Sequence, residues 1–174
     1  MRLLFEQDKK DYNEKGTQFI RPSVRGIVIR DGKIAMVHSL KYDYYELPGG
    51  GIEQGEAQHE TLIREVKEET GLTIIPNSIR EFGMVHRIQK GKIEDVFIQD
   101  NYYYICEAGL EIGFQQLDEY ESEEEFKLEF VEPHYAIDIN VSADHGSKAQ
   151  DSRFVMMIER EIHVLEILIK ENYC

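Results

Sequence analysis

The stretch Gly49–Leu72, which reads GGGIEQGEAQHETLIREVKEETGL, constrains this chain more than any other. Pro48 and the three glycines after it cannot continue a regular strand or helix, so a shaped loop is expected there. A helix is expected next, from about Glu56 to Thr70, with Ala57, Leu62, Ile63 and Val66 as its buried stripe and the glutamates facing elsewhere. Gly71 supplies a left-handed stop, and Leu72 can fold back onto the last turn. Glu65, Glu68 and Glu69 are spaced i, i+3 and i+4, so they project from one helix face. Like charges at that spacing oppose a helix by roughly 0.2–0.5 kcal/mol per pair. Three glutamates alone are most often a solvated face; in this setting a bound divalent cation is the better explanation.

The totals narrow the setting. A chain of 174 residues with 41% apolar content holds one domain with a proper core. Residues 1–20 read as an N-terminal extension or edge strand and 151–172 as a C-terminal helix. With 20 Lys+Arg against 34 Asp+Glu, the net charge of −14 argues against a nucleic-acid polymer as partner. A phosphorylated small molecule is still allowed, because a bound cation inverts the local charge. Cys106 and Cys174 form neither a metal-spaced pair nor a disulfide framework. The first apolar run is too short for a signal peptide, and no segment approaches the roughly 20 apolar residues of a membrane span. A cytoplasmic protein without membrane contact is the expectation.

Along the chain, Leu3–Phe5 is expected as a short edge strand and Asp8–Gly16 as a polar loop. Val24–Arg30 and Lys33–His38 are expected as antiparallel strands of the main sheet, joined by the hairpin turn Asp31-Gly32. Strand material follows at Thr73–Ile75, Ile79–Ile88 and Val96–Cys106, the last with burial on both faces. Gln115–Glu125 is expected as a mobile acidic loop and Lys127–Val131 as a final strand. Pro133 opens a short helix through Ile139, and Asp144–Gln150 is a polar loop. Phe154, Ile158, Ile162, Leu165 and Ile169 recur at helical spacing.

From Gly50 the pattern is glycine, five residues, Glu56, seven residues, Arg64-Glu65, apolar Val66, one residue, Glu68-Glu69, one residue, Gly71 and apolar Leu72. It resembles the signature of the Nudix hydrolases at every specified position, and Tyr45-Glu46-Leu47-Pro48-Gly49-Gly50 resembles the family's usual lead-in. The resemblance implies an α/β fold, a Nudix-like α/β/α sandwich with a mixed central sheet, here with a C-terminal amphipathic helix. It implies Mg2+, with Mn2+ as a substitute, held by Glu65, Glu68, Glu69 and the Gly50 carbonyl. Magnesium suits such oxygen donors, together with waters and substrate phosphates. Glu65 and Glu68 are catalytic candidates, with Glu65 or a loop glutamate taking a proton from water. Arg64 and Glu56 are candidates for holding those glutamates in place.

The implied reaction is hydrolysis of the phosphoanhydride bond in a nucleoside diphosphate linked to another group, X. Nucleoside triphosphates or oxidised nucleotides are slightly favoured over ADP-ribose and nucleotide sugars. Val85-His86-Arg87 stands where subfamilies resembling ADP-ribose pyrophosphatases carry a proline. A nucleotide-binding regulator without turnover is the competing class, although such a protein is expected to lose glutamates. An isomerase would need a cysteine near the site, and Cys106 reads as a buried strand residue. Outside the signature, Tyr42, Tyr44 and Tyr45 are candidates for stacking on a nucleobase. Glu124, in the run Glu123–Glu125, is a candidate loop ligand or base. Glu60 is placed to pair with Arg64. The tyrosine-rich strand at 102–104 and the C-terminal helix are candidates for a homodimer interface.

Overall fold

The computed structural model describes residues 1–174. Strands β1 (Leu3–Asp8), β2 (Gln18–Ile20), β3 (Ser23–Ile27), β4 (Ile29–Arg30), β5 (Lys33–Ser39) and β6 (Tyr44–Glu46) precede helix α1 (Gln58–Thr70). Strands β7 (Leu72–Ile74), β8 (Arg80–Gln89), β9 (Val96–Ile105) and β10 (Ala108–Ile112) follow. The chain ends with α2 (Glu119–Glu123), β11 (Phe126–Val131), α3 (Pro133–Ser142) and α4 (Ser152–Lys170).

In one sheet, β8 pairs antiparallel with β9 and parallel with β1, while β2 and β3 run parallel to β9 along its other edge. The second sheet centres on β5, with β11 antiparallel on one edge and β4 and β6 in turn along the other. A small β7–β10 pair completes the set.

The expected hairpin forms at Asp31-Gly32, both with positive φ (50° and 76°), as a tight two-residue turn requires. Only Ile29 and Arg30 pair with β5, however. At Val28 the chain changes sheets, so the expectation of two antiparallel strands in one sheet is corrected. Helices cover both faces of this region, which removes the alternation that would have marked the break. Val24 and Val28 pack with Leu62 and Val66 of α1, while Ile27 packs with Val164 and Leu165 of α4. Tyr104 and Tyr103 divide in the same way, Tyr104 toward α1 and Tyr103 toward α4. The result is an α/β/α sandwich with a mixed sheet and a C-terminal helix. β9 is paired on both edges, so its tyrosines offer no open edge to a second chain.

Other expectations need adjustment. Gln115–Glu125 contains α2 rather than an unstructured loop: Asp118 accepts the Glu121 N–H at 3.1 Å, and Glu121 accepts the Asp118 N–H at 2.9 Å. That reciprocal cap starts a helix even in an acidic run. On α1, Ala57 is exposed and Ile63 half-buried, whereas Glu69 is buried. On α4, Phe154, Ile158 and Leu165 are buried as expected, but Val164 and Leu168 are buried more fully than Ile162 and Ile169. β10 has no counterpart among the expected strands; it is short and exposes Leu110 and Ile112. No helix is long and apolar enough to cross a membrane.

Helix α1 ends as its sequence dictates. Gly71 has φ 73°, its N–H reaches the Lys67 carbonyl at 2.8 Å, and a Cβ there would overlap the Gly113 carbonyl. Gly71→Ala is expected to cost at least about 1 kcal/mol, from the left-handed φ alone. Urea unfolding would measure it, and an unchanged midpoint would refute this account of the helix stop.

Candidate active site

The loop before α1 is suspended between four elements. Asn140 of α3 accepts the Tyr45 N–H at 2.7 Å and donates to the Tyr45 carbonyl at 2.9 Å. Glu161 of α4 accepts the Leu47 N–H at 2.9 Å. Arg25 of β3 donates to the carbonyls of Leu47 and Gly49, at 3.0 and 2.6 Å. Glu69 of α1 accepts the Gly49 N–H at 2.8 Å. The loop also runs antiparallel along β3: Gly26 N–H reaches Pro48 O at 2.8 Å, Val24 N–H reaches Gly50 O at 3.0 Å, and Ile52 N–H reaches Pro22 O at 3.0 Å. The proline and glycines therefore form the expected shaped loop, since β6 ends at Glu46, but the loop lies against a strand. Glycine is what allows it, since Gly49 has φ 142° and a Cβ there would overlap the Val24 carbonyl.

Arg64 is the hub of the acidic side chains. Its Nε and Nη2 donate to the two oxygens of Glu56 at 2.9 Å each, and its Nη1 donates to Glu65 at 2.8 Å and Glu68 at 3.0 Å. Glu60 does not pair with Arg64; it accepts the Ala57 N–H at 3.1 Å at the helix start. The Arg64 hydrogen bonds hold the Glu56 carboxyl down at about 2. Burial pushes the Glu65 carboxyl up, against the pull of Arg64. Burial also raises Glu69 well above the ordinary carboxylate range, with Arg25 opposing and Glu46 adding to the shift.

Arg64, Glu65 and Glu68 line a cavity of about 320 Å³ together with Arg21, Gly51, Ile52, Glu53, Gln116, Asp118 and Glu121. Glu69 lies behind it, with Oε2 committed to the loop. No three acidic, histidine or cysteine side chains converge at metal-binding separation. The donor set nevertheless fits a hard cation: carboxylates line the cavity, and the backbone carbonyl at Gly50 accepts the Val24 N–H and keeps a second lone pair. A Cβ on Gly50 would overlap the Glu65 carboxylate, so backbone and acid are in direct apposition.

The remaining candidates lie elsewhere. Tyr44 and Tyr45 are almost fully buried. Tyr44 packs edge-on to Phe126 and Phe154, and Tyr45 stacks on His38 at 4.2 Å while donating to Glu129. Tyr42 lies beneath Lys148. None of the three lines the cavity, which corrects their reading as stacking residues. Glu124 is also turned away: it accepts from Tyr44 at 2.8 Å and pairs with Lys148 in the interior. Burial holds the Cys106 thiol at about 12, consistent with an inert strand residue. In the run 115–125 the carboxylates that do line the cavity are Asp118 and, in α2, Glu121. Their Asp118-x-x-Glu121 spacing is a helix-start signature that the surrounding acidic run obscures. Arg21 was carried by no motif.

A family model described as the NUDIX domain matches residues 20–150. The chain belongs to the Nudix hydrolase family. Among curated proteins, this Nudix hydrolase is 34% identical to the ADP-ribose pyrophosphatase of Methanocaldococcus jannaschii over 76 residues, 41% of this chain and 43% of the relative. It is 25% identical over 165 residues to the RNA pyrophosphohydrolase of Xylella fastidiosa, spanning 88% of this chain and 85% of that one. The match thus spans less than half the length of the M. jannaschii relative. Among solved structures, a Nudix hydrolase from Nitrosomonas europaea superposes with TM-score 0.53 at 14% identity, covering 84% of this chain and 90% of that one. A MutT Nudix hydrolase from Burkholderia pseudomallei gives 0.51 at 16%, covering 67% and 85%. At these identities the structures speak for the fold.

The Arg64–Glu56 pair in this Nudix hydrolase carries a pH signature. A carboxyl whose folded pKa lies below its ordinary 4.5 stabilises the fold above that value and loses the contribution as pH falls toward about 2. The stability advantage of the native chain over Glu56→Gln is expected to be full above about pH 5 and to shrink steadily on acidification. Urea unfolding of both proteins at stepped pH would read it; a constant gap would contradict the pairing.

Proposed function

We propose that this Nudix hydrolase cleaves the phosphoanhydride bond of a nucleoside diphosphate linked to X, with Mg2+ held by Glu65, Glu68, Glu69 and the Gly50 carbonyl. The observation that carries the reading is the apposition of Gly50 to the Glu65 carboxylate, beside acids clamped by Arg64 in one cavity. When bound, the ion would supply charge neutralisation of the diphosphate and a more acidic water. Arg64 and Glu56 set the rotamers of Glu65 and Glu68, so the acids are positioned before substrate arrives. Glu69 ties α1 to Gly49 through one oxygen and offers the other to the ion. Glu121, which lines the same cavity, is the proposed proton acceptor; burial raises its carboxyl, which suits a base.

The names of the relatives, ADP-ribose pyrophosphatase and RNA pyrophosphohydrolase, both denote cleavage at a pyrophosphate. The net charge of −14 keeps the proposal with small nucleotides rather than polymers. A magnesium-dependent hydrolysis screen over nucleoside triphosphates, oxidised nucleotides, ADP-ribose and nucleotide sugars tests it. Glu65→Gln, Glu68→Gln and Glu69→Gln are expected to abolish metal-dependent turnover, and Glu121→Gln to lower kcat by about 10²–10⁴-fold. A Glu69→Gln protein hydrolysing a confirmed substrate at the native rate would overturn the ligand assignment.

A further inference from the structure

A second cavity, of about 550 Å³, opens on the other side of Arg21, which lines both. Its character is opposite to that of the acidic one. Arg21, Arg25, Arg87, Lys92, Arg153 and Arg160 all line it, with Glu94 as the only acid. In a chain with 34 acids against 20 Lys+Arg, such a gathering is not the background composition. Three of the six cations are already balanced: Arg25 by Glu46, Arg153 by Asp151 and Arg160 by Glu161. Arg21, Arg87 and Lys92 form no ion pair.

Arg87 is the decisive residue. Only 5% of it is exposed, and its protein partners are neutral: Gln89 Oε1 at 3.1 Å and the Arg153 carbonyl at 2.8 Å. Its Nε has no partner, and neither has the Nε2 of Gln89, a residue 1% exposed on the same wall. The Nε of Arg25 is likewise unpaired. The amide of Gln89 cannot be turned to change this, because its Oε1 already accepts from Arg87. The buried unpaired groups of the residues lining this cavity are thus all N–H donors, and a buried guanidinium without a counter-charge is costly. Burial and the nearby Arg160 push Arg87 down to about 9, as expected of a cation lacking its anion. Phe19 and Phe97, 5.9 Å apart, add an apolar wall beside these donors.

We propose that this cavity seats a phosphate group of the substrate additional to the two flanking the cleaved bond, held by Arg87, Gln89 and Lys92. The three acceptor oxygens of a phosphoryl group match the Arg87 Nε, the Gln89 Nε2 and the ammonium of Lys92, and charge-assisted bonds to guanidinium are the strong kind. This rests on the hydrolase reading above and narrows its substrate class to nucleotides with a further phosphate. That phosphate comes either from a longer phosphate chain or from an ester on the sugar.

The test has two readouts. Without divalent metal, in EDTA and at constant ionic strength, inorganic phosphate is expected to raise the Tm of the native protein. Arg87→Met is expected to weaken phosphate binding by about tenfold or more, as loss of a charged hydrogen bond implies. Lys92→Ala, an exposed change that spares the core, is expected to weaken it in the same direction. No phosphate-dependent rise in the native protein, or an undiminished rise in both variants, overturns the proposal. With magnesium, the ratio of kcat/KM for ATP over ADP reads a phosphate on the chain. The ratio for 2′-phosphorylated ADP-ribose over ADP-ribose reads one on the sugar. At least one ratio is expected to exceed unity in the native protein and to fall in Arg87→Met; two ratios insensitive to that change would overturn the proposal. Absence of turnover on every nucleotide would sink the hydrolase reading instead, while the phosphate-dependent Tm would still decide the pocket.

Discussion

One guanidinium sets the shape on which the site depends. Arg25 reaches from β3 to the carbonyls of both Leu47 and Gly49, two residues apart on one side of the chain. Both bonds come from one nitrogen, Nη1, at the end of a long side chain, and they fix the loop's path where proline and glycine leave it otherwise free. Burial works against the charge of Arg25, but Glu46, Glu161 and Glu69 together outweigh that cost and hold it ionised. Each of those acids comes from a different element: β6, α4 and α1. The apposition of Gly50 to Glu65 is therefore a property of the whole sandwich rather than of the loop.

The network extends further than the loop. Arg160 binds both Glu161 and Asn101, and Asn101 in turn accepts from Ser23 at 2.7 Å. Buried ion pairs of this sort seldom add net stability over well-packed apolar residues. Breaking one is another matter, because it strands a charge in the core. What the arrangement supplies here is position. Leu47 N–H and Tyr45 N–H face helices rather than a neighbouring strand, so Glu161 and Asn140 stand in for the missing edge.

How much of this was legible depended on sequence distance. The turn at Asp31-Gly32, the span of α1 and the Gly71 stop are local devices, and each reads directly from neighbouring residues. The Glu56–Arg64 pair is likewise a spacing along one helix and its lead-in. Arg25 gave no signal, because it is a single charge in an apolar run. Arg160 and Glu161 gave none, because in the run Glu159-Arg160-Glu161 they read as ordinary helix charges while Asn101 and the Leu47 N–H lie far away in the chain. Tyr44 and Tyr45 misled for the opposite reason: aromatic residues beside a glycine loop suit stacking, but β6 is roofed by α3 and α4 and buries them. Glu121 and Glu124 differ by three positions in one acidic run. The Asp118 cap turns the first toward the cavity, and Lys148 draws the second into the interior.

The same geometry separates two kinds of charge across a thin wall. Side chains alternate along β3, so Val24 packs toward α1 while Arg25 reaches into the basic cavity on the α4 side. The loop from Pro48 to Ile52, laid along that strand, has carboxylates on one side and guanidiniums on the other, with Arg21 at the junction. At long range the chain's net −14 repels an anionic ligand. That field decays within about 8–10 Å at ordinary ionic strength, so capture depends on what lies inside this distance. A local gathering of cations offsets the repulsion without needing a bound metal, whereas in the acidic cavity the carboxylates outnumber Arg21 and Arg64 and a bound cation would be needed to reverse the charge. On the proposed reading the two cavities would provide independent holds on a polyanion, and only the basic one would act on phosphate directly.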